Sequence, residues 1–216
     1  MAEQNKSLQA YDAIERMIVF QELTPGALVS EAMLMERTGF GRTPVREALQ
    51  RLASERMVEI HPSRGVLVPP ASIESQLKLL ELRRGLEDVA VRLATQRALP
   101  AQKAEMLSVC EELEKHGQTT LDDFAGSLKH IHELIVDAAH NEYLAVAMAP
   151  LQGLSRRFWF ANIQDAEEEM AAARGLHVRI LRAICAGEEN DASEASRKLN
   201  DYLVDFAYAT LPSHVR

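Results

Sequence analysis

The stretch Gly39–Phe40–Gly41–Arg42–Thr43–Pro44–Val45–Arg46–Glu47–Ala48–Leu49–Gln50–Arg51–Leu52 decides the fold of the N-terminal part of the chain. Its apolar residues recur at the i, i+3, i+4, i+7 spacing of one helical face: Val45, Ala48, Leu49 and Leu52. Thr43 is a favourable N-cap, and Pro44 then takes the first helical position, where its missing N–H leaves no hydrogen bond unmade. The stretch therefore predicts a short amphipathic helix.

Polar side chains cluster at the leading end of this helix. Arg46 and Gln50 lie four residues apart on a face other than the apolar one, and Arg42 directly precedes the predicted cap. Arginine and glutamine at the end of a short helix can enter the major groove of DNA and form hydrogen bonds with base edges. These residues are compatible with a recognition helix, but taken alone they favour a solvated amphipathic helix with ordinary surface arginines.

The flanking sequence favours the recognition helix. Residues 8–20 have helical apolar spacing, and the turn Leu23–Gly26 contains Pro and Gly where a helix cannot continue. Ser30 caps a short second helix that extends to Arg37, and Gly39–Gly41 turns into the third. A helix, a short helix, a glycine-containing turn and another helix are the order of a helix-turn-helix.

A small hairpin follows the predicted recognition helix. After Glu55 the apolar period changes to 2, so residues 57–60 and 66–68 read as strands joined by the turn 61–65. Such a hairpin is a wing, which can place Arg64 and the backbone around Gly65 beside phosphates or in the minor groove. Pro69 and Pro70 stiffen the exit and mark a domain boundary.

Charge divides the chain at the same place. The 216 residues carry a net charge of −8, which is not the basic balance of a non-specific nucleic-acid binder. Residues 1–70 hold 8 Lys and Arg against 9 Asp and Glu, whereas residues 71–216 hold 16 against 23. Any DNA contact must therefore come from the local placement of arginines in the first domain, 1–70.

The second predicted domain, 71–216, is an all-helical bundle. Ser72 caps a long helix that extends to about Ala98, and further helical patterns cover residues 100–115, 120–140, 142–161, 165–186 and 190–209. In the long helix, apolar residues repeat at spacings of 3, 4, 3 and 4, which predicts a packing seam: Leu79, Leu82, Leu86, Val89 and Leu93. The fold class is thus mainly α, a winged helix-turn-helix followed by a helical bundle.

Three observations predict a soluble cytoplasmic protein. The polar start, Met1 to Ala10, does not resemble a signal peptide. No apolar run approaches the roughly 20 residues needed to span a bilayer. Cys110 and Cys185 lie in helical, apolar patterns and are expected to be reduced core thiols.

The order of these features resembles the GntR family of bacterial transcription factors, and more closely its FadR-type subfamily, whose effector domain is known as FCD. Four stretches match the DNA-binding pattern: Leu23–Gly26, Leu28–Glu31, Arg42–Leu49 and Arg64–Gly65. Leu82–Glu87 and the segment from His132 to Asn141 match the FCD pattern more loosely. The resemblance spans nearly the whole chain and implies a transcriptional regulator, not an enzyme.

By this resemblance, Arg42, Thr43 and Arg46 contact bases and phosphates, with Arg64 and Gly65 from the wing, and Gln50 joins them from its place on the helix. Two departures stand out. Arg56 occupies a position just before the wing where family members usually have glycine, and Ala32 replaces an arginine that some relatives place on the second helix. Because one recognition helix covers few base pairs, we expect a homodimer on palindromic half-sites.

FCD domains commonly hold a divalent metal, such as Zn or Ni, with one Asp and three His. His132 and His177 match two of the histidines, but Leu128 occupies the Asp position and Tyr202 best matches the third His. Two imidazoles alone hold metal weakly. The resemblance thus predicts a site with weak or absent metal, and the other interpretation is that both are hydrogen-bonded core histidines.

A small organic acid is the expected effector, and family precedent favours repression released by ligand. Arg83 is the predicted partner of the effector carboxylate, together with His132, His177 and Tyr202. For Arg83, a solvated ion pair with Glu87 one turn later is an equal alternative.

Two rival functions remain open from the sequence. A metal-dependent hydrolase could be built on His130, His132 and His177, and Ser75-x-x-Lys78 matches a nucleophile motif. The histidine set lacks a carboxylate ligand or a clear general base at a set spacing, and the Ser75–Lys78 match is a four-residue coincidence on a charged helix. A metabolite sensor that does not bind DNA is the second rival, and the recognition helix and wing argue against it.

Overall fold

The computed structural model describes residues 2–115 and 119–211, with side chains from residue 5 onward. Helices make up most of this part of the chain, which confirms the predicted mainly α fold with a winged helix-turn-helix and a helical bundle. The described residues form two compact units. Unit 1 lies within Met1–Ser72 and also contains Gly153–Ala161, and unit 2 lies within Ile73–Gln152 and Asn162–Arg216.

Unit 1 contains three helices and three short strands from the first 72 residues. In chain order they are α1 (Ala2–Val19), β1 (Leu28–Val29), α2 (Glu31–Thr38), α3 (Arg42–Ser54), β2 (Glu59–His61) and β3 (Gly65–Leu67). Helix α3 packs against α1 and α2. The core between them is apolar and fully buried, with Ile14, Ile18, Leu34 and Leu52 at 0% exposure.

The strands form one antiparallel sheet in the order β1-β3-β2. The predicted hairpin is present, but its first strand is Glu59–His61, not 57–60, because Met57 and Val58 are buried where the chain leaves α3. Strand β1, which the sequence analysis missed, pairs Val29 with Val66 and closes the sheet. Two residues are too few to show an alternating apolar pattern, so only the pairing with β3 reveals this strand.

Arg56 stands at a backbone position that favours glycine. Helix α3 ends in a Schellman motif: Met57 N–H donates to Leu52 O and Arg56 N–H donates to Ala53 O. Arg56 is the C′ residue of this motif and has a φ of 60°. The glycine that family members usually have here is therefore explained by left-handed backbone, and Arg56 bears a steric cost.

We expect Arg56→Gly to raise the free energy of unfolding of unit 1 by about 0.5–1 kcal/mol, because it removes the left-handed strain at a small entropic cost. Denaturant unfolding measures the change. Arg56→Ala is the matched control, since it also removes the guanidinium but keeps a Cβ. Equal effects of both variants would contradict the backbone explanation.

Unit 2 is helical throughout its described residues. Its helices are α4 (Ile73–Arg97), α5 (Pro100–Glu114), α6 (Leu121–Ala138), the first half of α7 (Glu142–Asn162), α8 (Ala166–Ala186) and α9 (Glu189–Ala209). Helix α4 packs most extensively against α9 and also contacts α6 and α8. The residues of α7 from Gly153 to Ala161 pack in unit 1, where Arg156 Nη2 lies 2.5 Å from Glu15 Oε1.

The predicted packing seam of α4 is not the face that the chain buries. Leu82 and Val89 are 57% and 44% exposed, and the other seam residues, Leu79, Leu86 and Leu93, are half-buried. The buried face runs instead along Leu80, Arg83, Glu87, Ala90, Val91 and Ala94. The expectation of a seam within the chain was wrong, because apolar spacing alone does not say what covers a face.

The two cysteines differ in burial, and neither forms a disulfide within the described residues. Cys110 is buried, and burial raises the pKa of its thiol to about 11. Cys185 is only half-buried, which corrects the expectation that it is a core thiol. No helix in the described ranges is long and apolar enough to cross a membrane.

Candidate DNA-binding surface and buried polar site

Helix α3 buries one face and exposes the predicted recognition residues on another. Its buried residues are the four of the apolar pattern: Val45, Ala48, Leu49 and Leu52. Arg42, Thr43, Arg46 and Gln50 are all exposed. The N-cap is Gly41 and the helix begins at Arg42, so the expectation that Thr43 caps it was wrong. Thr43 therefore lies in the first turn of α3, where it is exposed.

Arg46 is oriented by a contact with α2. Its Nε lies 2.9 Å from Glu31 Oε2, and Glu31 is the first residue of α2, directly after the Ser30 cap. A guanidinium has five N–H donors, so this bond leaves both terminal nitrogens able to bind a base edge. The sequence analysis did not predict this contact between Glu31 and Arg46, since a 15-residue separation gives no local signal.

The wing carries Arg64 in the turn between β2 and β3, and Gly65 is the first residue of β3. Arg64 is exposed at the turn, and its N–H donates to His61 O. Gly65 has a φ of 118°, and a Cβ there would lie 2.6 Å from Val29 O. Glycine at this position is therefore required by the close approach of β1, whatever else the wing contacts.

In unit 2, five polar side chains from four helices meet in a buried polar site, defined here as Arg83, Glu87, His132, His177 and Asn200. Each is at most 6% exposed. Arg83 Nε and Nη2 donate to Glu87 Oε1 at 3.0 and 2.8 Å. Arg83 and Glu87 thus form the ion pair of the alternative interpretation, but both side chains are buried. The expectation that this pair is solvated was wrong.

Three nitrogen atoms converge at one point of this site. His132 Nε2 lies 3.4 Å from both Arg83 Nη2 and His177 Nε2. His177 Nδ1 donates to Ala173 O at 2.7 Å, which leaves His177 Nε2 as an acceptor. His132 Nε2 can then donate to His177 or accept from Arg83, but it cannot do both. An oxygen atom near these nitrogens could accept hydrogen bonds from both Arg83 Nη2 and His132 Nε2. The three side chains cannot satisfy all of their donors among themselves.

Asn200 completes the site and has an orphaned atom. Its Nδ2 donates to Glu87 Oε2 at 2.6 Å and to Ser196 O at 3.1 Å. Its Oδ1 is buried and finds no hydrogen-bond partner among the residues that the structure describes. Buried acceptors are normally satisfied, so this atom calls for a water or a ligand donor. The sequence analysis missed Asn200, because an asparagine in a helix is usually solvated.

The remaining predicted candidates lie apart from these contacts. The Tyr202 hydroxyl donates to Glu169, on α8. His130 is exposed and its Nε2 lies 3.2 Å from Glu105 Oε1. The structure thus joins Arg83, His132 and His177 as predicted, while its recorded contacts place Tyr202 beside Glu169.

The buried polar site does not fit a metal ion. Two neutral imidazoles could supply two ligands, but the Arg83 guanidinium, a permanent cation, approaches the His132 nitrogen that would bind the metal. The Asp position of the family pattern holds Leu128, which is buried and apolar. Within residues 2–115 and 119–211, no group of three His, Cys, Asp or Glu is placed to hold a metal.

Acidification is expected to destabilise unit 2 through His177. Burial lowers the pKa of His177 from its ordinary 6.5 to about 4, and the nearby Arg83 cation adds to the shift. The unfolded chain binds a proton below pH 6.5 that the folded chain binds only near pH 4, so the free energy of unfolding falls across this window. We expect a loss of about 2 kcal/mol at pH 5 relative to pH 7, measured by urea unfolding.

His177→Gln should remove this part of the pH dependence, because glutamine does not titrate. His130→Gln is the matched control, since His130 is exposed on a neighbouring helix. The explanation fails if the free energy of unfolding falls by the same amount between pH 7 and pH 5 in His177→Gln and in the wild type.

Two family patterns match the chain. The pattern of bacterial regulatory proteins of the gntR family matches residues 6–68, and the FCD domain matches residues 78–201. The chain is 29% identical over 168 residues to the Nta operon transcriptional regulator of Aminobacter aminovorans, covering 77% of this chain and 79% of that protein. It is 25% identical over 200 residues to the HTH-type transcriptional repressor GlaR of Escherichia coli strain K12, covering 89% and 91%.

Solved structures show the same fold. McbR/YncC of E. coli aligns with a TM-score of 0.76 at 21% identity, over 94% of this chain and 97% of that chain. A GntR transcriptional regulator from Rhodococcus sp. RHA1 aligns with a TM-score of 0.67 at 22% identity, over 97% and 99%. At these identities the likeness establishes the fold alone.

Proposed function

Because the chain belongs to the GntR family of bacterial transcriptional regulators and carries an FCD domain, we propose that its residues 1–70 bind operator DNA and that residues 71–216 bind a small carboxylate that controls this binding. The single observation that carries the proposal is the exposed polar face of α3, opposite four buried apolar residues. The relatives are transcriptional regulators, a non-enzymatic class, so the hydrolase alternative is wrong.

We assign direct base contacts to Arg46 and Gln50, and phosphate contacts to Arg42 and Thr43. A guanidinium can bind guanine O6 and N7 with two hydrogen bonds, and a glutamine amide can do the same with adenine. Arg42 and Thr43 lie in the first turn of α3, where side chains and N–H groups meet phosphates. Arg64 at the wing tip supplies a further contact, with Gly65 beside it.

The net charge of the N-terminal domain makes the positions of its few interface arginines decisive for DNA binding. Residues 1–70 hold 8 Lys and Arg against 9 Asp and Glu. Their net charge is near zero, so the general electrostatic attraction of this domain to DNA is weak. Binding must then depend on the few arginines at the interface. We therefore expect a large ratio of operator affinity to non-specific affinity.

Two copies of the chain are proposed to bind one palindromic operator. A single α3 exposes recognition side chains over two turns and reaches only a few base pairs, and a two-fold dimer supplies the second half-site. We expect light scattering of the purified protein at 10 µM to give twice 24.1 kDa. A mass of 24.1 kDa at that concentration would contradict this expectation.

The effector site is proposed to be the buried polar site of unit 2. FCD domains bind small-molecule effectors. Here Arg83 Nη2 and His132 Nε2 lie 3.4 Å apart beside His177, and a carboxylate oxygen could accept hydrogen bonds from both of them. The orphaned Asn200 Oδ1 would accept from a hydroxyl or a protonated acid of the same ligand. Tyr202, two residues further along α9, is a further candidate contact.

We propose repression as the direction of control, since the similar GlaR protein is a repressor by name. Occupation of the site would favour one arrangement of the helices around it and thereby change operator affinity. The residues present do not fit a metal, so the charge of a carboxylate would be met by the Arg83 guanidinium, with a hydrogen bond from His132. As a regulator of bacterial genes, the protein would act in the cytoplasm.

Acetate, succinate and citrate are suitable probes of the effector site. At least one should raise the melting temperature and weaken operator binding tenfold or more, whereas neutral succinamide should do neither. His132→Phe should abolish the response, and His130→Phe, which changes an exposed histidine two residues away, should leave it intact. An undiminished response in His132→Phe would place the effector elsewhere.

A further inference from the structure

Unit 1 contains a group of interacting polar side chains at the C-terminal end of α3. Its members come from α1, from the last turn and C-cap of α3, and from the part of α7 that packs in unit 1. We call them the polar cluster of unit 1: Tyr11, Glu15, Arg51, Glu55 and Arg156. All except Arg51 are at most 8% exposed. Contacts within this cluster connect the three helices.

One half of the cluster holds the end of α3 against α1. The Tyr11 hydroxyl donates to Glu55 Oε2 at 2.5 Å, and Arg51 Nε donates to Glu55 Oε1 at 3.0 Å. The Arg51 guanidinium also lies over the Tyr11 ring, with its Cζ 4.1 Å from the ring centroid, which is a cation–π distance. Both carboxylate oxygens of Glu55 are thus engaged, and directional contacts fix the end of α3 to α1.

The other half of the cluster joins α7 to α1. Glu15 lies one helical turn after Tyr11, so the two side chains share a face of α1. Glu15 Oε1 lies 2.5 Å from Arg156 Nη2, and these two side chains are 6% and 9% exposed. Burial, followed by the nearby Glu15 carboxylate, raises the pKa of Tyr11 above its ordinary value. The hydroxyl therefore keeps its proton and remains a donor to Glu55.

Residues that follow Arg156 on α7 also have partners within unit 1. Arg157, which is 3% exposed, donates from Nη2 to Pro69 O at the exit of the wing. The Phe160 ring packs on Phe20, just after α1, with the ring centroids 5.3 Å apart. This part of α7 is therefore held both at α1 and at the chain that leaves the wing, although it is distant from both in sequence.

Stability alone is a poor reason to bury the charges of this cluster. Replacing a buried ion pair by apolar residues of similar size is often neutral or stabilising, because removing charges from water has a large cost. Directional bonds can instead fix the position of one helix on another. A side chain that reads a base edge must be held within about 0.5 Å of its productive position by supporting contacts. The end of α3 is where this cluster supplies such support.

We propose that Arg156 is a positioning residue for operator recognition, which acts through its ion pair with Glu15 on α1. The hydrogen bond from Tyr11 to Glu55 extends the constraint from α1 to the end of α3. The proposal rests on the DNA-binding role of α3 in the proposed function, and it adds that a residue of α7 supports this role. Arg156 is buried and acts on α3 without touching DNA.

Paired apolar substitutions separate positioning from stability. Arg156→Met takes a cation away from the buried Glu15 carboxylate and should lower the melting temperature by at least about 5 °C. Glu15→Met/Arg156→Met removes both charges, so its melting temperature should return to within about 2 °C of the wild type's. Its affinity for the selected operator should still be at least about 10-fold weaker, with its affinity for random duplex unchanged.

The double variant Arg84→Met/Asp201→Met is the matched control. It makes the corresponding pair of substitutions in an exposed ion pair of unit 2. Both the melting temperature and the ratio of operator to random affinity should match the wild type's, because exposed pairs contribute little to stability. A control that loses operator affinity as strongly as Glu15→Met/Arg156→Met would overturn the proposal.

Tyr11→Phe tests the second step without changing a charge. It keeps the ring under Arg51 and removes the hydroxyl that donates to Glu55. Operator affinity should fall at least about threefold, since a hydrogen bond to a charged group is lost, and affinity for random duplex should not change. If Glu15→Met/Arg156→Met does not fold, this variant decides the test, and an unchanged affinity ratio in it overturns the proposal.

An unchanged ratio of operator to random affinity in a folded Glu15→Met/Arg156→Met variant also overturns the proposal. Failure of the proposed function gives a different result. If the wild type selects no DNA sequence, the proposed function fails, and the positioning role fails with it. If Arg46→Ala weakens operator binding while the cluster variants do not, the role of α3 stands and only the positioning role fails.

Discussion

Replacing Arg46 by alanine is expected to weaken binding to each operator half-site by about 5- to 150-fold, since a two-hydrogen-bond arginine–guanine contact contributes about 1–3 kcal/mol of discrimination. In a dimer the loss applies twice. The side chain lies outside the apolar core of α3, and its Nε forms a partly exposed ion pair with Glu31. The melting temperature should therefore change little.

Fluorescence anisotropy with operator and random duplexes measures this effect. Arg84→Ala is a charge-matched control, because Arg84 is an exposed arginine of unit 2 that pairs with Asp201. It removes the same charge away from α3. Arg46→Ala should reduce the ratio of operator to random affinity, and Arg84→Ala should not. Unchanged operator affinity in Arg46→Ala, with a normal melting curve, would refute the assignment of α3 to the groove.

Replacing Arg83 by leucine is expected to lower the free energy of unfolding of unit 2 by about 3–5 kcal/mol. The substitution leaves Glu87 buried beside Asn200 without its cation, and an uncompensated buried charge is strongly destabilising. Urea unfolding of the free protein measures the loss. No comparable effect is expected from Arg84→Ala, one residue further along the helix.

The double variant Arg83→Leu/Glu87→Leu separates charge from packing. Replacing both members of a buried ion pair by apolar residues is often neutral or stabilising, so the double variant should recover much of the lost stability. The recovery should appear as a coupling energy in a double-mutant cycle. If the losses in unfolding free energy caused by Arg83→Leu and by Glu87→Leu simply add in the double variant, the two residues do not act as a buried ion pair.

The DNA-binding unit was predictable from sequence because its signals are local. The apolar spacing of residues 45–52 gave α3, and the change of period after Glu55 gave the wing. The errors were also local: Gly41 caps α3 in place of Thr43, and β2 begins two residues late. Side-chain preferences rank possible caps, but tertiary packing decides where the helix begins.

The buried polar site was only partly predictable. Arg83, His132 and His177 followed from the family resemblance, and the structure brings them together. Glu87 was foreseen only as a solvated partner of Arg83 and Asn200 was missed, because acidic and amide side chains are usually solvated and here the packing of α4 against α9 buries them. Arg56 was noted only as a departure from the family pattern, and the structure explains the usual glycine by showing left-handed backbone at this position.

The predicted packing seam of α4 shows what periodicity cannot decide. The spacing of Leu79, Leu82, Leu86, Val89 and Leu93 identified an apolar face, and the structure shows that the chain buries another one. An apolar repeat indicates that one face of a helix packs against another surface, but it does not indicate whether that surface belongs to the same chain. Burial in the folded chain is what makes the distinction.

The most direct test of the central claim is selection of duplex DNA by the purified protein from a random-sequence pool at physiological salt. If α3 reads base edges as a two-fold pair, the selected DNA should contain an inverted repeat bound at least about 10³-fold more tightly than random duplex. Substitution of Arg46 should relax the preference at one position of each half-site. A pool that shows no sequence enrichment after repeated rounds would contradict the claim that this protein is a sequence-specific DNA-binding regulator acting through α3.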